Sequence, residues 1–234
     1  MAHTKTSFTG QWDTFHNNGP FVNRILYDLR LERPENLPGV TDRYNDAAGE
    51  IQQLIQACIN NNERFRAYGS GWSLSDIAQG NDRMLYTGRM NLKMTIGQPD
   101  LHPASLYNQD DLFFFQCGTT IKEVSEFVFK SGKSLKTSGA INGQTIAGGI
   151  STGIHGSAFD VGAVQDYVAG LNLIIGPGPG DLVYLERHTK PALNDAFAAK
   201  INSRVIRNDG LFNAALVGLG SFGFILKEPA LLNP

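Results

Sequence analysis

Residues Thr137 to Ala158, TSGAINGQTIAGGISTGIHGSA, hold six glycines between Gly139 and Gly156, with His155 near the end. Glycine loses more backbone freedom on folding than any other residue, so a cluster of it is costly to order. Such a stretch is expected where something bulky lies against bare main chain. Two more glycine turns adjoin strand-like segments: RAYGSGWSLSD, Arg66 to Asp76, and GLGSFG, Gly218 to Gly223. Backbone N–H groups in such turns converge on anions, a diphosphate above all, because no Cβ blocks the approach. Ser70, Ser73 and Ser75 add hydroxyl donors to the first turn. That turn lacks the G-x-G-x-x-G spacing and distal acid of a Rossmann fingerprint, and no Gly-Lys-Ser/Thr of a Walker loop follows it. The three turns together predict a long crevice holding an extended dinucleotide.

The rest of the composition narrows the classes. The chain has 234 residues, 41% hydrophobic and 18% charged, which is globular rather than disordered. A formal net charge of −2 with no basic block gives nucleic-acid binding no electrostatic support. No apolar run approaches the roughly 18 residues of a membrane span, and the start, MAHTKTSFTGQW, lacks the apolar stretch of a secretory signal. The two cysteines, Cys58 and Cys117, are far apart; they make neither a disulfide framework nor a metal site, and both read as inert. The cytoplasm is the default compartment. His3, His16, His102 and His188 read as surface residues, and Asp76 and Asp82 as a solvated face. Asp160, Asp166 and Glu186 have no spacing that argues an acid–base couple. No G-x-S-x-G elbow is present.

Along the chain, the first forty residues, punctuated by Gly19-Pro20, Pro34 and Pro38, read as a segment wrapping over a core. NDAAGEIQQLIQACINNN has helical spacing, with Asn45 or Asp46 as cap and Cys58 on a buried face. RFRAYGSG and RMLYTGRM predict strands, and Asn91 to Asp111 loops with one short strand. LFFFQCG predicts a buried strand. TTIKEVSEFVFKSG predicts a helix capped by Thr119 or Thr120, with Glu123 in its first turn and Gly132 closing it. A helical turn is expected over residues 145–152, two strands on either side of GPGPGD, and a helix, glycine turn and strand in LFNAALVGLGSFGFIL.

These motifs resemble the vanillyl-alcohol oxidase family of flavoproteins, whose FAD-binding domain is also called the PCMH type. YGSGWSLSDIA is similar to the family's pyrophosphate loop, SGAINGQTIAGGISTGIHG to its second flavin loop, and ALVGLGSFGFI to its closing turn and strand. The TGIHG ending resembles TGTHG of the alditol and sugar-1,4-lactone oxidase branch. The resemblance implies an α+β fold with FAD between two lobes. An N-terminal segment, residues 1–36, would lead into a first lobe, 37–105, and a second, 106–234. Tyr68, Gly69, Ser70, Gly71, Trp72 and Ser73 would hold the pyrophosphate. Ser138, Gly139, Thr145, Gly148, Gly149, Thr152 and Gly153 would approach the ribityl chain and flavin ring. Ile225 would meet the adenine portion. His155 falls where the family has a histidine near the flavin; fixing its own loop is the other role open to it. No residue is assigned to catalysis, and no metal is expected.

Two departures qualify the resemblance. Where the family's first loop carries histidine, often joined covalently to the flavin, this sequence has Trp72. An indole offers no comparable nucleophile, so FAD is expected without a covalent bond there. Family members also continue for some two hundred residues into a substrate domain, which is absent from this sequence. The function implied is hydride transfer to flavin N5 from an alcohol group of a sugar alcohol, aldonolactone or related polyol, with a base from outside this chain. The small Gly139 beside the ring would let oxygen reach reduced flavin. The alternative is an FAD-binding module, non-catalytic alone, that needs a partner chain or the C-terminal domain for activity.

Overall fold

The structure, a computed structural model, describes residues 2–31 and 39–231. Strands and helices are mixed around two sheets. The smaller sheet contains β1 (Ala2–Trp12), β2 (Phe21–Leu31), β3 (Phe65–Tyr68) and β4 (Arg83–Tyr86), in the order β1-β2-β4-β3. The first two form an antiparallel hairpin, while β2 and β3 each run parallel to β4. These residues were expected to wrap over a core, and the structure makes them two long strands instead. The reason is a period-two pattern that the prolines obscure. Asn23, Ile25, Tyr27 and Leu29 are buried, whereas the alternate positions Val22 and Arg24 are exposed and Leu26 and Asp28 half-buried. Pro34 and Pro38 lie outside the described residues.

Helix α1 (Val40–Asn60) begins five residues before the expected caps, after an extended Gly39. Tyr44, Ala47, Ala48, Ile51 and Cys58 form its buried face, which packs against β1 and β2. Helical spacing reaching back to Tyr44 explains the earlier start.

The larger sheet contains β5 (Lys93–Thr95), β6 (Leu112–Gln116), β7 (Gly170–Ile174), β8 (Leu182–Glu186), β9 (Arg204–Arg207) and β10 (Phe224–Leu231). Its order is β5-β6-β10-β7-β8-β9. Every residue of β6, β7 and β8 is buried because both faces are covered. Phe114, Ile174, Leu182 and Tyr184 join α1 and the small sheet's Ile25, Tyr27, Leu29 and Leu85 in one core. Phe113, Phe115, Leu171, Leu173, Val183 and Leu185 face a second core. Helices α2 (Ile121–Phe129), α3 (Ile146–Ser151) and α5 (Asp209–Leu216) supply the rest of that second layer. Helix α4 (Asp195–Lys200) packs Phe197 and Ala198 into the first. Among the described residues no helix is long and apolar enough to cross a membrane.

Strand pairing cuts across the sequence divisions in two places. β1 and β2 join the smaller sheet although they precede residue 37, and β5 joins the larger one although it precedes residue 106. The β10–β7 register slips between Ile225 and Lys227. Such irregularities bend a strand and re-aim its side chains, and this one falls where β10 meets the site.

Candidate functional site

The three glycine turns meet at one cavity of about 920 Å³. Strand β3 runs straight into the first turn, and Tyr68, Gly69, Ser70, Gly71, Trp72 and Ser73 all line the space. The second stretch contributes Thr145, Gly148, Gly149, Thr152, Gly153 and His155 around α3. The third contributes Leu219 to Ile225, at the start of β10. Ser138 and Gly139 are not among the lining residues. Gly139 (φ +76°) lies behind Ile154, which does line the cavity; a Cβ on that glycine would come within 3.0 Å of Ile154 Cδ1.

The turns are interlocked. A Cβ on Gly69 would overlap the Thr145 side chain, so this glycine is required by close approach. Ser70 Oγ donates to the Gly143 carbonyl at 2.6 Å, and Trp72 lies so close over Gly143 that a Cβ there would meet its ring at 2.6 Å. The N-terminal end of α2 holds the second stretch by its backbone: Ile121 N–H donates to Gln144 at 2.9 Å and Ile146 N–H to Thr119 at 2.8 Å. Thr145 then caps α3, accepting from the Gly148 N–H. The third turn is tied in by Leu219 N–H, which donates to Ser151 at 3.3 Å, and the β1–β2 loop by Phe15 N–H, which donates to Gly71 at 2.8 Å. Phe15 also stacks on Trp72, with ring centroids 3.7 Å apart.

The lining is sparse in charge: one arginine (Arg66), one histidine (His155) and no carboxylate. His155 is exposed, and its Nδ1 lies 2.9 Å from the Gly156 carbonyl oxygen. Tyr68 stacks on Trp12 at 4.7 Å. Burial, with Tyr86 and Asp28 adding to it, pushes its phenol up to about 12. Cys117 is buried yet lines the cavity, its Sγ 4.0 Å from Met90 Sδ. Among the described residues, two polar atoms of the lining, Gln144 Oε1 and Arg66 Nε, are buried without a partner. The sequence reading assigned neither Arg66 nor Gln144 to the site, and it took Cys117 as inert. Gln144 sits inside the glycine-rich stretch, which was the available signal; Arg66 opens the motif RAYGSGWSLSD.

A family model described as an FAD binding domain matches residues 46–179, more than half of the chain. The chain belongs to this FAD-binding family. Among its relatives, the D-arabinono-1,4-lactone oxidase of Kluyveromyces lactis is 26% identical over 188 residues, 79% of this chain and 30% of the relative. The enzyme of the same name from Candida glabrata is 24% identical over 226 residues, 94% of this chain and 36% of the relative. The chain thus spans about a third of the length of these curated relatives. Among solved structures, a cholesterol oxidase from Brevibacterium sterolicum superposes with a TM-score of 0.65 at 12% identity, over 99% of this chain and 38% of that one. That likeness concerns the fold.

The cofactor of this FAD-binding domain is FAD, and the cavity fits it on three counts. Its volume lies within the roughly 300–1,000 Å³ of cofactor sites. Bare backbone lines it at Gly148, Gly149, Gly153 and Gly220, the last two at positive φ (+69° and +79°) that glycine favours. Ile55, Phe65, Ile174 and Phe224 give apolar walls for a ring system, and the two orphaned polar atoms would gain partners.

Proposed function

We propose that this chain is the FAD-binding part of an oxidoreductase that oxidises an alcohol group of an aldonolactone, sugar alcohol or related polyol. The observation that carries the proposal is the convergence of three distant glycine turns on one cavity. The two lactone-oxidase relatives support the substrate class. In this reading the FAD lies between two lobes, residues 37–105 and 106–234, with the β1–β2 hairpin added to the first and β5 to the second. The turn at Tyr68–Ser73 holds the pyrophosphate. Thr145, Gly148, Gly149, Thr152, Gly153 and His155 approach the ribityl chain and ring, with Ser138 and Gly139 behind them, and Ile225 meets the adenine.

When bound, FAD supplies an acceptor for the hydride released by an alcohol carbon. The chain's own part is positioning. The interlocked turns fix the cofactor's length against main chain, and the apolar walls exclude water. The lining holds no carboxylate, and this reading assigns the hydroxyl proton to a base outside this chain. This same feature favours a second reading, a module that binds FAD and needs another domain or partner chain for turnover. Trp72 in place of a histidine, stacked on Phe15, supports FAD held without a covalent bond. Cys58 and Cys117 are buried and are not joined in a disulfide, which supports residence in the cytoplasm.

Titration calorimetry with FAD, followed by anaerobic addition of D-arabinono-1,4-lactone and a polyol panel, tests these readings. Binding with bleaching of the oxidised flavin's visible absorption supports the oxidoreductase. Binding without bleaching supports the module, and no binding overturns both. Acid precipitation is expected to leave the flavin in the supernatant; flavin in the pellet would contradict non-covalent attachment.

A further inference from the structure

Arg66 is the one Lys or Arg among the residues that line the cavity. It stands on β3, three residues before Gly69, where the strand enters the first glycine turn. Its surroundings leave its charge uncompensated. Among the described residues it pairs with no carboxylate, whereas Arg83 on the neighbouring strand is bound to Glu63. One Nη2 proton goes to the Ile77 carbonyl, and Nε is buried with no acceptor among the described residues. A buried donor without a partner carries its full desolvation cost, and a carboxylate-free cavity offers nothing within to offset a guanidinium. FAD, on the reading above, brings to this place a diphosphate with two negative charges. Without Arg66, only neutral donors would meet both: the backbone N–H groups and the Ser70 and Ser73 hydroxyls of the first turn.

We infer that Arg66 is the counter-cation of the cofactor's diphosphate, so that it sets affinity for the phosphate portion of the ligand and not for the flavin ring. The inference rests on FAD occupying this cavity. A guanidinium suits the role, since its planar fork meets phosphate oxygens with charge-assisted hydrogen bonds. The competing role is structural, with Arg66 serving only to tether the Ile77 carbonyl.

Calorimetric titration of wild type, Arg66→Gln and Arg66→Lys with FAD, ADP and riboflavin separates the two roles. Riboflavin carries no phosphate, and ADP carries the diphosphate without the flavin. Arg66→Gln is expected to weaken FAD and ADP roughly 10- to 100-fold and to leave riboflavin unchanged, while Arg66→Lys recovers most of the loss. The steepness with which added salt weakens FAD should also fall in Arg66→Gln, because a screened charge pair has been removed. Melting of the FAD-free proteins checks that each variant folds. Unchanged FAD affinity in Arg66→Gln, an equal loss for riboflavin, or an unaltered salt dependence would each overturn the assignment. Wild-type protein that fails to bind FAD would remove the parent reading as well, which keeps the two failures distinct.

Discussion

Gly69 and Thr145 show how much of the site is decided by single atoms. A methyl group on Gly69 would overlap the buried, β-branched side chain that caps α3. Gly69→Ala is therefore expected to destabilise the protein by about 1–3 kcal/mol, the usual cost of overpacking. It should also weaken FAD binding, because the first two turns can no longer close on each other. Urea denaturation and calorimetry check the two effects, and an Ala variant with native stability and affinity would contradict the close approach. The sequence made these glycines legible because bare backbone has a compositional signature. It did not reveal that Gly139 stands behind Ile154, nor that Gln144 Oε1 and Arg66 Nε are orphaned. Lacking a partner is a property of three-dimensional surroundings, and no residue type announces it.

At the scale of elements, the start of α2 matters more than its distance from the cavity suggests. Thr120 accepts from the Glu123 N–H, and the Glu123 carboxylate accepts in return from the Thr120 N–H at 2.8 Å. Burial alone would raise the Glu123 carboxyl, but the Thr120 N–H, the Lys93 ammonium and the Thr120 hydroxyl outweigh it and hold it below its usual range. The same turn hydrogen-bonds the backbone of residues 142–146. Thr120→Ala should thus cost about 1 kcal/mol of stability and loosen FAD binding several-fold, though the residue does not line the cavity; equal affinity in the variant would uncouple the cap from the loop. This helix was readable because cap, acid and apolar face coincide in nine residues. The β1–β2 hairpin was not, since its alternation is diluted by Asn23 on the buried face. Helix α4 and β9 are too short for periodicity to show, and Asn194, which caps α4 by accepting from the Phe197 N–H at 2.8 Å, was the remaining sign.

For the whole molecule, a cavity lined from both sheets couples cofactor binding to global stability. FAD at about a hundred times its Kd adds about 2.7 kcal/mol, which for a protein of this size raises the melting temperature by roughly 5–10 °C. A melting curve indifferent to FAD would deny that coupling. Alkali should act in the other direction. Burial raises the phenols of Tyr44 and Tyr184 well above their usual value, and that of Tyr68 to about 12. Groups that keep their protons longer when folded favour the folded state below the unfolded pKa of about 10, and that advantage is lost as pH climbs beyond it. Stability in urea should be level to about pH 9 and fall between about pH 10 and 12, with ionisation of Tyr44, Tyr68 and Tyr184, followed by ultraviolet absorbance, appearing only on unfolding. Early ionisation of all seven tyrosines would contradict the buried phenols. The two-sheet arrangement itself was only partly legible: the mixture of helix and strand followed from local pattern, whereas the parallel pairing of β2 and β3 to β4 joins segments distant in sequence.

The protein has two tryptophans, one on the wall of this space and one directly behind it. Trp72 lines the cavity, and Trp12 stacks on Tyr68, which lines it too. Indole emission therefore originates almost entirely beside the bound chromophore. Energy transfer would dim it as the ligand enters, giving a label-free optical record of occupancy that needs no engineered dye.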